Sequence, residues 1–277
     1  MARGLTTAGS SRGPAGNLSA RDLRRLILDQ SKRANVGHIG SALSVVDIIS
    51  TLFGGVLRDA TSAAGDRDHF ILSKGHAALA LYAALHMTGR MDRPTLDTYC
   101  GNDSLLGVHP EHQLDGVEIS TGSLGQGLSV GAGMALAARL QRSSSRVFVL
   151  LSDAELNEGS VWEAIMFASH RRLDNLVAIV DLNGQQALGK TADVLDLGQV
   201  AAKWGAFGWE TVEVDGHSEG QLSAAFEEIT GTSGRPTVVL ARTIAGKGVS
   251  FMEGKVEWHY LPLNDAQYAT AVAENDL

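Results

Sequence analysis

The second half of the chain alternates continuous apolar runs with helix-like stretches, and this pattern restricts the fold more than any other feature. Val147–Leu151 and Leu176–Val180 are apolar at every position, and Thr237–Ala241 at all but the first. A strand with one wet face alternates apolar and polar residues; these runs do not, so both their faces are covered. Thr211–Val214 is a fourth, shorter run. The intervening segments Glu158–Leu173, Leu197–Phe207 and about Glu219–Ile229 read as helices. Strands separated by helices predict a parallel sheet with helices on both faces, in one large α/β domain.

The first half adds a short strand, Phe70–Leu72, which runs into Ser73-Lys74-Gly75-His76. Helices are expected from a cap at Asn17 or Ser19 to near Gly37, from Ser44 to Leu57, from Ala77 to Met87 and from Leu124 to Leu140. The last carries Gly125, Gly127, Gly131 and Gly133, which let another backbone or a cofactor come close. Between the last two helices lies a polar loop, Gly101–Gly122, holding His109, Pro110 and His112. No internal repeat or Pro/Gly linker interrupts the series. The expected organisation is a flexible terminus over 1–16, one domain over 17–263 and a helical tail over 264–277.

Composition excludes several functions. Lys and Arg total 23 against 31 Asp and Glu, a net charge of -8, which disfavours a nucleic-acid backbone as partner. A single cysteine, Cys100, rules out an internal disulfide framework and fits a reducing, cytoplasmic compartment. No apolar run approaches the roughly 18 residues that span a bilayer, and the first residues lack the apolar core of a secretory signal.

Open parallel sheets bind ligands at the carboxyl ends of their strands. Two strands here end in oxygen donors: one runs into Ser152-Asp153-Ala154-Glu155, the other into Asp181-Leu182-Asn183-Gly184-Gln185. A carboxylate, an amide oxygen, a backbone carbonyl, water and phosphate oxygens together make the octahedral shell of Mg²⁺ or a similar cation. A helix opening beside Asp153 offers free N–H groups to the same phosphates. An aspartate at this position is also an ordinary helix cap, so the pair alone does not decide between the two.

The surrounding motifs favour the ligand site. Leu151 to Gly159 followed by Asp181-Leu182-Asn183 resembles the thiamine-diphosphate motif, with 30 residues between Asp153 and Asn183. Val36-Gly37-His38-Ile39-Gly40, Leu72-Ser73-Lys74-Gly75-His76, Gly107-Val108-His109-Pro110-Glu111 and Thr121–Gly127 resemble transketolases specifically. So does Thr243–Gly248 with Trp258-His259; the resemblance runs in order from about Asn17 to Leu263. It implies a diphosphate-binding subunit that transfers a two-carbon ketol unit from a ketose, phosphorylated or free, to an aldose. The cofactors implied are thiamine diphosphate and Mg²⁺, Ca²⁺ or Mn²⁺.

By the same resemblance, Asp153, Asn183 and the Gln185 carbonyl ligate the metal. His76, Ala154 and His259 contact the diphosphate, with Glu155 and Lys247 also on the cofactor. Gly122, Ser123 and Leu124 lie along its rings, and His38, His109 and His259 surround the reacting carbon and sugar hydroxyls. Glu158 and Glu163 link the paired sites of a dimer. Two departures stand out: Ser152 and Ala154 replace the motif glycines, and Leu182 replaces an asparagine. Ala154 presents its N–H without strain only at negative φ. The motifs of the pyrimidine-binding module are not found, which implies a partner polypeptide carrying them, two copies of each chain.

Two alternatives remain at this stage, a thiamine-dependent 2-oxoacid decarboxylase or acyloin synthase, and a non-catalytic remnant of the fold. His38 and His109 favour the ketose reading. Elsewhere, His112 and His217 read as solvated loop residues, His69, His86 and His170 as packing or capping groups, and Trp162, Met166 and Phe167 as helix core.

Overall fold

The structure, a computed structural model, describes residues 18–58, 67–229 and 233–276. The terminus over 1–16 and the cap at Asn17 lie outside them. In chain order the strands are β1 (His69–Leu72), β2 (Val147–Ser152), β3 (Leu176–Leu182), the short pair β4 (Gln185–Gln186) and β5 (Gly189–Lys190), β6 (Glu210–Asp215) and β7 (Thr237–Arg242). β1, β2, β3, β7 and β6, in that order, form one parallel sheet, while β4 and β5 form a separate antiparallel hairpin. The helices are α1 (Ala20–Ala34), α2 (Ile39–Ser44), α3 (Val46–Thr51), α4 (Ala78–Met87), α5 (Arg93–Leu96) and α6 (Gln126–Leu140). After them come α7 (Gly159–His170), α8 (Thr191–Val194), α9 (Val200–Ala206), α10 (Glu219–Glu228) and α11 (Asp265–Asn275).

The continuous apolar runs are explained by two cores, one on each face. Phe148, Leu150, Val177, Ile179 and Val239 face the core built by α1–α4, α10 and α11. Val147, Val149, Leu151, Ala178, Val180 and Leu240 face that built by α6, α7 and α9. Each such side chain contributes about 1.5–3 kcal/mol by leaving water, so both helical layers are held without help from charge. Register then places the site. Ser152 pairs with Asp181 and Asp181 with Ala241, so β2, β3 and β7 finish level and deliver Asp153, Asn183 and Thr243 to one edge.

Three expectations are corrected. The helix expected over Ser44–Leu57 is divided: Val45 breaks it between α2 and α3, and Leu52–Val56 is a π-helical turn over Gly54-Gly55. The tail is no appendage, because α11 docks on α1 through Tyr268 to Asp29 at 2.7 Å and Lys32 to Asp265 at 2.6 Å. Met166 and Phe167 are not core; they are 49% and 39% exposed, and Trp162 is half-buried. Only the Val161, Ala164, Ile165, Ala168 side of α7 meets the sheet. Its outer side continues an apolar surface onto the neighbouring α6 at Val130 and Leu140.

Candidate active site

The four motif histidines, drawn from four separate segments, meet over the strand ends. His38 lies 6.0 Å from His76, 6.3 Å from His109 and 5.2 Å from His259, and His76 lies 5.3 Å from His259, between ring centroids. His38 caps α2 in the left-handed region at φ 61, with its backbone N–H donating to the His259 carbonyl at 3.2 Å. Strain of this kind persists where the surroundings over-determine it, commonly at functional sites. Gly122, at φ 151, allows His109 to approach, since a Cβ there would stand 3.2 Å from the imidazole.

Burial holds these rings neutral. Burial first, then Lys74 and the other histidines, puts His76 well below the usual histidine range. Burial, then His38 and Lys74, lowers His259 to about 4, and burial with His109 lowers His38. They therefore meet a ligand as hydrogen-bonding imidazoles rather than as cations. A stability prediction follows. His259 takes up a proton near 6.5 when unfolded but near 4 when folded, so the unfolded chain binds more protons in between, and stability is lost as pH falls through that window. Asp153 and Glu155, both raised, oppose this slope, so the test is differential. His259→Gln is expected to reduce the loss between pH 6.5 and 4 by about 1–2 kcal/mol after allowance for solvent screening, measured by denaturant titration.

Beneath the histidines lies a buried ionic floor. Lys74 is fully buried and pairs with Asp181, which also accepts from Ser44 Oγ at 2.7 Å, from Asn183 Nδ2 at 3.0 Å and from Thr243 Oγ1. Asp153 accepts from the Ala154 N–H at 2.7 Å and, through its other oxygen, from the Gly184 N–H at 2.7 Å. Burial and the nearby Asp181 raise its carboxyl to about 6. Asp153, Asp181 and Glu155 face one buried ammonium, so this region carries excess negative charge.

A pocket above this floor is lined by His76, His259, Leu124, Ser152, Ala154 and Asn183, joined by Gly40, Ser41, Gln185, Gln186, Ala187, Ala245, Lys255 and Trp258. Ala154 lies in a 3-10 turn and is absent from the positive-φ residues, so the replaced glycine introduces no strain there. Not every expected residue reaches the pocket. Glu155 is a buried clamp, binding Ser73 Oγ, the Gly125 N–H at 2.8 Å and the Ser152 N–H at 3.3 Å. Lys247 pairs with Glu253 at 3.5 Å, and Ala245 and Lys255 line the pocket from its neighbourhood instead. Ser123, Glu158 and Glu163 are exposed, Glu163 on the outer side of α7 beside the apolar surface. The sequence reading missed Lys74 and Asp181, although both stand inside its motifs; a charged residue ending an apolar strand was the available signal. His217 is corrected: its side chain is 12% exposed and bonded on both nitrogens.

Five parallel strands with a polar pocket at their carboxyl ends define an open α/β ligand-binding domain. The family model for the transketolase thiamine diphosphate binding domain matches residues 16–274. One of the two chains of an apulose-4-phosphate transketolase, from Phocaeicola vulgatus, is 38% identical over 91% of this chain and 90% of its own length. A 6-deoxy-6-sulfo-D-fructose transketolase subunit of Clostridium sp. is 38% identical over 91% of this chain and 93% of its own length. The crystal structure of transketolase from Campylobacter jejuni superposes with a TM-score of 0.88 at 30% identity, covering 94% of this chain but only 42% of that protein. The chain belongs to the transketolase thiamine-diphosphate-binding family.

The residues present fit that cofactor. Two buried polar atoms at the site, His38 Nδ1 and Gln186 Nε2, have no hydrogen-bond partner, and such groups are costly unless a ligand or water meets them. Among the described residues no three His, Cys, Asp or Glu side chains converge as metal ligands. A cation here would therefore be held by Asp153 with amide, carbonyl and phosphate oxygens, a shell that suits Mg²⁺. Its charge would offset the excess of buried carboxylates.

Proposed function

We propose that this chain is the diphosphate-binding subunit of a two-component transketolase, moving a two-carbon ketol unit from a ketose or ketose phosphate to an aldose. The observation that carries this reading is the convergence of His38, His76, His109 and His259 on one pocket over the Asp153–Asn183 floor. The near-complete coverage of relatives named as transketolase subunits supports the two-component form. Asp153, Asn183 and the Gln185 carbonyl hold a divalent cation, Mg²⁺ by preference; His76, His259 and the Ala154 N–H meet the diphosphate. The partner is a separate chain with the pyrimidine-binding domain. The apolar face of α6 and α7, with Glu163 at its edge, suits pairing of two such units, giving two copies of each chain.

Thiamine diphosphate supplies, when bound, a nucleophilic carbon that adds to a carbonyl and stores the resulting negative charge. The chain's own residues orient and move protons around it. The neutral imidazoles of His38 and His259 accept protons from sugar hydroxyls or return them to carbonyl oxygens as bonds break and form. His109, braced by Pro110 and by Tyr82 Oη donating to its carbonyl at 3.1 Å, presents its ring to the same space. Trp258 and Leu124 wall the pocket and limit water. The test is calorimetry: thiamine diphosphate is expected to bind the purified chain only with Mg²⁺ present. Absence of binding with Mg²⁺ would overturn the assignment. His109→Ala is expected to leave that affinity within a few-fold while lowering turnover of the assembled enzyme about 10²-fold, the lower range for a positioned acid or base. Unchanged turnover would remove His109 from the chemistry.

A further inference from the structure

The strap from Thr243 to Gly246 forms one wall of the pocket through Ala245. Three ties fix it. Thr243 Oγ1 bonds Asp181, the Gly246 N–H donates to the Gly40 carbonyl at 2.9 Å, and the Ile244 N–H donates to His217 Nε2 at 2.9 Å. The first two belong to the site and its floor. The third comes from outside it, on the turn after β6.

That turn is built to bring His217 there. Gly216 lies so close to the strap that a Cβ would stand 2.4 Å from Thr243 Cγ2. The His217 N–H donates to Asp215 Oδ1 at 2.9 Å, which fixes the turn. On its other side the ring meets Asp47 of α3, with Nδ1 2.8 Å from Oδ2, and Arg24 of α1 holds Asp47 through both oxygens at 2.9 and 2.8 Å. His217, Asp47 and Arg24 side chains are only 12–13% exposed. Because Nε2 accepts from a backbone N–H it carries no proton, so Nδ1–H donates to Asp47 and the tautomer is fixed.

We propose that His217 is a positioning residue for cofactor binding: it holds the strap, and hence the Ala245 wall and the Thr243 contact with Asp181, from outside the pocket. The proposal rests on the thiamine-diphosphate reading above. It needs the ring's hydrogen bonds rather than its bulk, and two substitutions separate these. Glutamine offers an acceptor to Ile244 and a donor to Asp47; phenylalanine keeps the ring and offers neither.

Thiamine diphosphate affinity of the full chain with Mg²⁺ is measured for wild type, His217→Gln, His217→Phe and His217→Ala, alongside amide hydrogen exchange of residues 243–246. We expect His217→Gln to bind within about three-fold of wild type, and His217→Phe and His217→Ala to bind about tenfold or more weakly, with faster exchange confined to the strap. Wild-type affinity and strap protection in His217→Phe would overturn the proposal, as would equal loss in His217→Gln and His217→Ala. If wild type itself fails to bind, the cofactor reading fails, and the proposal falls with it as a statement about binding. Exchange at Ile244 then still reports separately whether His217 holds the strap.

Discussion

Mixed with a chain carrying the pyrimidine-binding domain, this protein is expected to turn over a ketose and an aldose at about 1–10³ s⁻¹, the ordinary enzymatic range. Alone, it is expected to give no ketol transfer above background. The reason lies on its surface. Leu188, Tyr260 and Leu261 are 84%, 53% and 48% exposed, and the Tyr260 hydroxyl bonds the carbonyl of Ala187, which lines the pocket. An apolar rim of this size around a polar pocket is the kind of surface another protein covers. Half a pocket also leaves the reacting carbon open to water, which weakens every electrostatic interaction made there. Coupled-assay rates for the chain alone, the partner alone and the mixture decide the matter. Ordinary rates from the isolated chain would end the two-component reading.

Asp153→Ala is expected to lower thiamine diphosphate affinity at least about 10³-fold in the presence of Mg²⁺ while the chain stays folded. Two losses combine. The cation loses its carboxylate, and the Gly184 N–H loses the acceptor that anchors the loop carrying Asn183 and Gln185. Stability changes less, because opposing effects meet at this residue. Removing the carboxylate relieves its repulsion with Asp181, yet leaves two buried N–H groups unpaired, at about 1–3 kcal/mol each. Asp153→Asn keeps one acceptor in place and is expected to lose the cofactor as well with a smaller effect on stability. Calorimetry with far-UV circular dichroism and thermal melts checks both variants. Wild-type affinity in either variant, with a normal spectrum, would remove Asp153 from the metal site.

Much of this architecture was legible beforehand. Continuous apolar runs at β2, β3 and β7 announced a sheet covered on both faces, since nothing else tolerates such strands in water. The motif histidines and the Asp153–Asn183 spacing named the site, because parallel strands end where ligands bind. Local sequence was a poorer guide wherever a residue's partner lay far along the chain. Met166 and Phe167 read as core because apolarity does not reveal which side of a helix faces the sheet. Lys247 carried the expected charge, but Glu253 turned it aside. His217 read as a loop residue, and only packing of the β6 turn against α3 and the strap gave it two partners. The four histidines come from segments as far apart as residues 38 and 259, and no spacing rule sets the 5.2 Å between those two rings. Hydrophobic pattern and turn chemistry are properties of neighbouring residues, so the sequence alone determined the layers, the strand ends and the candidate donors. Burial, charge pairing and hydrogen-bond partners arise between distant residues, so only the tertiary structure decided which donors meet and which are held away.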